Sequence, residues 1–274
     1  MRKTDKSNLD YDRPVKIAED IYWVGFYDME SKLHCNPYLV VDGDEAVVID
    51  SGSRPDFHTV MMKILRTGIS PNNISALIYQ HYDHDLCGNI SNFEDIIDND
   101  SLRIISDRRN NIFIRHYSVT SELVDLEDVG FTFEFSSGRK LEFTLTPYAH
   151  SAGSFVTFDS KTGVLFTSDL FGSYAVEWDL FLTLSDECER CRDYENCPHG
   201  RTFCPFPDIL RFHRMIMTSE KALRLALRRI ESIDCDVVAP QHGSVIVSPR
   251  DRQIIADRLM HLPGIGIDGL VEGD

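Results

Sequence analysis

Short apolar runs and strict apolar/polar alternation dominate the chain, with helical periods between them. Alternation over residues 15–26 predicts a strand. The apolar runs 38–41 and 46–49 flank Asp42-Gly43-Asp44 and predict a β-hairpin, whose second strand ends in the turn Asp50-Ser51-Gly52-Ser53. Residues 57–68 carry helical periodicity and stop at Gly68. A buried strand is predicted over 76–79, and an αβα pattern over 92–117 with RIIS as its strand. From 129 to 172 strands and turns prevail, with Ser136-Ser137-Gly138 and Ser160-Lys161-Thr162-Gly163 as hairpin connections. Residues 219–233 predict an amphipathic helix with Ser219 as its N-cap. The stretch CDVVAPQHG predicts a last buried strand, followed by a helix over 249–261. Each half is β-rich first and helical after, which suits a sandwich of two sheets with helices outside.

Four of the predicted strand ends carry the same kind of chemistry. The run 76–79 opens into His81, Asp83, His84 and Asp85 and closes at Gly88. His150 follows TLTPYA, Asp169 follows VLFTS, and His242 follows VVAPQ. Imidazoles and carboxylates at strand ends supply a donor set suited to a hard or borderline cation. The six candidates are His81, Asp83, Asp85, His150, Asp169 and His242.

Composition narrows the partners. A length of 274 residues fits one α/β domain over 1–274, and the net charge of −16 with no basic face argues against nucleic acid or an anionic membrane surface. No apolar run reaches spanning length, and residues 1–14 lack the apolar core of a secretory signal, so the expected location is cytoplasmic. Seven cysteines then read as reduced thiols or metal ligands. Cys188, Cys191, Cys197 and Cys204 crowd a Cys-rich insert over 186–207 and have the spacing of a four-thiolate site. Zinc, an iron–sulfur cluster, and plain surface thiols or disulfides all remain open for it. Cys35 and Cys235 read as small core residues, and Cys87 as a packed residue inside the metal loop.

The order of these motifs resembles the metallo-β-lactamase fold, whose first motif is H-x-H-x-D-H-x-G. Aligned on Gly88, this chain has His81-x-Asp83-x-Asp85-Leu86-x-Gly88. A carboxylate in the third position is the mark of the flavodiiron branch, which has H-x-E-x-D-H-x-G. Asn36-Pro37-Tyr38-Leu39, Ser168-Asp169-Leu170-Phe171-Gly172 and Pro240-Gln241-His242-Gly243 are further similarities to that branch, so the likeness spans roughly residues 15–260. A second register, His81-x-Asp83-His84, would make His84 a ligand but puts Gly88 two residues late. In the first register His84 points away from the metals or stands behind them.

The resemblance implies an α/β metallo-β-lactamase-like αββα sandwich of two mixed β-sheets. It implies two non-haem iron ions, one held by His81, Asp83 and His150, the other by Asp85 and His242, with Asp169 bridging. Two departures stand out: Asp83 is one methylene shorter than the family's Glu, and Leu86 replaces a histidine that is a ligand in only some members. Flavodiiron enzymes continue into a flavodoxin domain carrying FMN. This chain ends at Asp274, so the expectation is a protein without an FMN domain, similar to stand-alone oxygen-binding diiron proteins. The implied function is binding, with or without reduction, of oxygen or nitric oxide, as sensor or oxidoreductase. A signalling protein or electron donor would be its partner, an iron–sulfur cluster on the insert a substitute relay, and a homodimer its assembly. The alternative is a dinuclear metallohydrolase acting on a lactone or phosphodiester.

Overall fold

The computed structural model describes residues 9–27, 33–117, 119–174, 178–191 and 204–271. The first half runs β1 (Val15–Ala18), β2 (Ile21–Trp23), β3 (Phe26–Tyr27), β4 (His34–Cys35), β5 (Tyr38–Asp42), β6 (Glu45–Ile49), α1 (Phe57–Arg66), β7 (Ile74–Ile78), α2 (His84–Cys87), α3 (Ile90–Ile97), β8 (Arg103–Ser106), α4 (Arg108–Ile114) and β9 (Glu122–Asp125). The second runs β10 (Thr132–Glu134), β11 (Lys140–Leu145), β12 (Phe155–Asp159), β13 (Val164–Phe166), β14 (Phe181–Leu182), α5 (Phe206–Ile216), α6 (Glu220–Glu231), β15 (Val237–Ala239), β16 (Val245–Ile246), α7 (Pro249–Met260) and α8 (Ile267–Val271).

Two seven-stranded mixed sheets result, ordered β1-β2-β5-β6-β7-β8-β9 and β10-β11-β12-β13-β15-β16-β14, while β3 and β4 pair apart from them. Strand β6 shows why they stack. Val47 and Ile49 join a core shared with Phe155 and Phe166 of the second sheet, whereas Ala46 and Val48 face Val60 and Ile64 of α1. Side chains two apart share a face, so one strand feeds two cores. The second sheet repeats the logic: Leu165 and Val238 pack with Leu223, Leu227 and Ile254 of α6 and α7. The layers are therefore helix, sheet, sheet and helix, as the resemblance implies. Each side chain so buried contributes roughly 2 kcal/mol.

Three local expectations need correction. The alternation over 15–26 is not one strand: the chain reverses at Asp20 (φ 56°), and β1 pairs antiparallel with β2 across a register shift. Alternation reports which face is buried, not direction, so a tight turn within it escapes notice. The strand before His242 is not the last, because β16 follows and pairs with both β15 and β14. The polar loop after β7 tightens at once into α2. No described helix is long and apolar enough to cross a membrane.

Candidate metal centre

The end of β7 is bolted across the sandwich before its first imidazole appears. The backbone N–H of Gln80 donates to Asp50 (3.1 Å), and its side-chain amide donates to the carbonyls of Phe155 and Phe166 (both 3.0 Å). His81 follows, buried, with Nδ1 2.9 Å from Ser168 Oγ. Asp83 occupies the N-cap of α2 but makes no cap bond. Its carboxylate accepts instead from His150 Nε2 at 2.8 Å. A residue type that ordinarily satisfies helix N–H groups is here turned toward another strand end. Asp85 lies in the same helical turn, and Gly88 closes it because a Cβ there would meet the His84 carbonyl at 2.5 Å.

His150 stands at φ 80°, a conformation few non-glycine residues adopt, with Nδ1 donating to the Ile216 carbonyl (3.2 Å). Asp50, Ser168 and Phe171 share that left-handed region, so strained backbone gathers at these strand ends. His242 Nδ1 donates to the His34 carbonyl at 2.7 Å. The strand end before it is held by Asn36, whose amide donates to the carbonyls of Pro240 and Gly243 (both 2.9 Å), and by Tyr38 Oη, which donates to Pro240 (2.8 Å). Gly243 must be small and left-handed: φ is 81°, and a Cβ would lie 2.3 Å from Ser173 Oγ.

All six sequence candidates come together. His81 Nε2 lies 3.9 Å from both Asp83 Oδ2 and Asp169 Oδ2, and His150 Nε2 lies 4.0 Å from Asp169 Oδ2. On the other side His242 Nε2 is 3.1 Å from Asp85 Oδ2 and 3.6 Å from Asp169 Oδ1. Asp169 thus turns one oxygen to each cluster. His84 is exposed, edge-on to Tyr117 (ring centroids 5.2 Å apart), and among the described residues joins no group of metal-competent side chains.

The protonation pattern is that of a cation site. Burial opposes charge on His150, but the Asp83 hydrogen bond and the charges of Asp169 and Asp83 outweigh it and raise the imidazole to about 9. Burial likewise works to raise Asp85, and His242 overrides it, holding the carboxyl at about 2. His242 is raised against burial by Asp85, Cys35 and Asp169. Protons on imidazoles thus balance the carboxylates where metal cations would. Asp169 Oδ1 is buried with no hydrogen-bond partner, a cost that a bound cation would remove. On both counts the residues fit a dinuclear metal centre.

Cys35 packs in the apolar core as expected, and it does something more. Although buried, its sulfur belongs to a metal-competent group with Asp85 and His242. Burial pushes this thiol up while the neighbouring His242 pulls it down. His213 also escaped the sequence reading: Nδ1 donates to the Ile209 carbonyl (2.7 Å), and Nε2 accepts the Phe171 N–H (3.1 Å), steadying the loop after Asp169. Neither residue has a local signal, since helical spacing and an apolar neighbourhood describe ordinary core positions.

The Cys-rich insert is not supported as a zinc or iron–sulfur site. Among the described residues no metal-competent group contains Cys188, Cys191 or Cys204, and Cys197 lies outside them. Cys188 is buried in a short 3-10 turn (Asp186–Glu189), packed with Leu184, Phe206 and Ile209, and Cys204 packs against the same core. Cys87 donates weakly to the His81 carbonyl (3.6 Å) from a fully buried position.

Comparison with known proteins gives one answer at every level. Relatives include the anaerobic nitric oxide reductase flavorubredoxin of Pectobacterium carotovorum, 24% identical over 242 residues covering 84% of this chain and 45% of that protein. The flavo-diiron protein FprA2 of Clostridium acetobutylicum is 22% identical, covering 85% and 57%. This chain spans about half or less of the length of most such curated relatives. Among solved structures, the chemotaxis sensor ODP, described as a peroxy diiron species, superposes with TM-score 0.73 at 21% identity over 94% of this chain and 98% of that one. A Thermotoga maritima flavo di-iron protein variant superposes with TM-score 0.74 at 20% identity, over 90% and 60%. These likenesses show the fold, and the family model described as ODP family beta lactamase matches residues 33–243. The chain belongs to the ODP family of beta-lactamase-fold proteins.

Proposed function

We propose that this protein is a non-haem diiron protein that binds oxygen or nitric oxide. His81, Asp83 and His150 would hold one iron, Asp85 and His242 the other, and Asp169 would lie between them. The observation that carries the reading is Asp169, whose two oxygens divide between two histidine–carboxylate clusters. Bound there, two iron ions would supply open coordination positions and electrons for a diatomic ligand. The chain's own groups do the rest. Ser168 and the carbonyls of Ile216 and His34 hold the three Nδ1 atoms, so each Nε2 faces inward. Three carboxylates against three imidazoles make the site harder and more anionic than a typical zinc centre, which favours iron. The Phe212 ring lies edge-on to His242, 5.6 Å between centroids, and forms an apolar wall on that side of the second cluster. The flavorubredoxin and chemotaxis-sensor relatives support this choice of metal and ligand class.

The test is metal analysis of protein made and purified without oxygen, with absorption spectra before and after air or nitric oxide. Two irons per chain and a band that appears with the gas are expected. A stable adduct would mark a sensor that signals to a partner protein, and rapid reoxidation under excess reductant a reductase fed by an electron donor. Two zinc ions and a silent spectrum would overturn the reading in favour of a metallohydrolase.

A further inference from the structure

We propose that Cys35 is a ligand of the second metal ion, its thiolate completing a set with Asp85, His242 and Asp169. This rests on the dinuclear reading above. The sulfur of Cys35, a carboxylate oxygen of Asp85 and a ring nitrogen of His242 all lie within 4.8 Å of one another, close enough for one ion to reach all three. Two features show that the placement is built. Cys35 is flanked by His34, whose carbonyl orients His242, and by Asn36, whose N–H donates to the Gln241 carbonyl at 2.9 Å. The strand β4 is thereby clamped to the His242 loop by the residues on both sides of the cysteine. Independently, the buried Oδ1 of Asp169 points to this cluster, 3.6 Å from His242 Nε2, with no hydrogen-bond partner.

The second cluster is also the one short of donors. Leu86 takes the place where the related motif has a histidine, and it is buried in the same core as Cys35. Without Cys35 that half would offer one imidazole and two carboxylates; with it, a soft donor enters. Cys35 packs at the edge of that apolar core, yet its sulfur also meets the imidazole of His242 and the carboxylate of Asp85, which a packing role alone does not explain. On coordination the sulfur forms its bond to the metal as a thiolate, and its proton leaves to water. The two halves then differ in kind: a nitrogen–oxygen site on His81, Asp83 and His150, and a sulfur-containing site that prefers iron, cobalt or zinc to manganese or magnesium.

Cobalt(II) is the probe, added to the intact metal-free chain. The wild type is expected to develop a near-ultraviolet thiolate-to-metal charge-transfer band as the second equivalent binds. Cys35→Ser should lose that band, keep the visible bands of the first cobalt, and bind the second about tenfold or more weakly. Cys188→Ser should keep the band, which separates Cys35 from the insert thiols. A band and second affinity unchanged in Cys35→Ser would overturn the proposal. Crystals of the unmutated chain soaked in cobalt(II) give a readout independent of any variant. An anomalous peak about 2.3 Å from Cys35 Sγ supports ligation, and one beyond about 3.5 Å overturns it. Two ions bound without sulfur would sink only the Cys35 ligand, whereas no ion at His81, His150 and Asp169 would sink the dinuclear reading as well.

Discussion

Asp169 and His213 show how single side chains set this site. Asp169→Asn keeps the shape but removes the charge shared between the clusters. It is expected to reduce bound metal from two equivalents toward one and to weaken the remaining ion about tenfold or more, as read by metal titration of the purified protein. His213 is buried, and burial holds its imidazole down at about 4. Protonating it would deprive the Phe171 N–H of its acceptor. The unfolded chain binds a proton on this residue near pH 6.5 while the folded one does not, so the contribution is full above pH 6.5. It is lost as pH falls from there to about 4, by on the order of 3 kcal/mol. Urea unfolding of the metal-free protein at pH 7 and pH 5 should therefore show a smaller acid loss in His213→Gln than in the wild type.

At the scale of elements, the N-cap that the sequence suggests is one the chain uses. Ser219 Oγ accepts the Ala222 N–H at 3.2 Å and starts α6 one residue later. Ser219→Ala should cost about 1 kcal/mol in urea or thermal unfolding and leave metal content unchanged. The buried face of α6, Ala222, Leu223, Ala226, Leu227 and Ile230, follows the period read from the chain. Elements of two to four residues were less legible. The strands β3, β4, β14 and β16 are too short to show a period, and α2 is a single turn whose Asp83 leaves the cap to face His150. Chemistry occupies positions where local preference would have chosen otherwise.

Across the whole molecule, the two sheets are joined by polar groups as well as by their shared core. Arg139, beside β11, pairs with the buried carboxylate of Asp159 (3.0 and 2.6 Å) and donates to the Val41 carbonyl of the opposite sheet (2.8 Å). Arg139→Met leaves a buried carboxylate without its counter-charge and should cost about 3–5 kcal/mol in urea unfolding. The double variant Arg139→Met/Asp159→Leu should lose less, because no charge is stranded. The sequence alone determined the layered α/β architecture, since burial on two faces writes its period into strands such as β6. It also determined the donor types at four strand ends, because those residues interrupt apolar runs where the backbone leaves the sheet. Tertiary structure decided which donors come together. The turn of Asp169 toward both clusters, the approach of Cys35 to Asp85 and His242, and the support from His213 join positions tens to hundreds of residues apart. Spacing along a chain carries no distance across it, so only packing of the two sheets could bring those groups together.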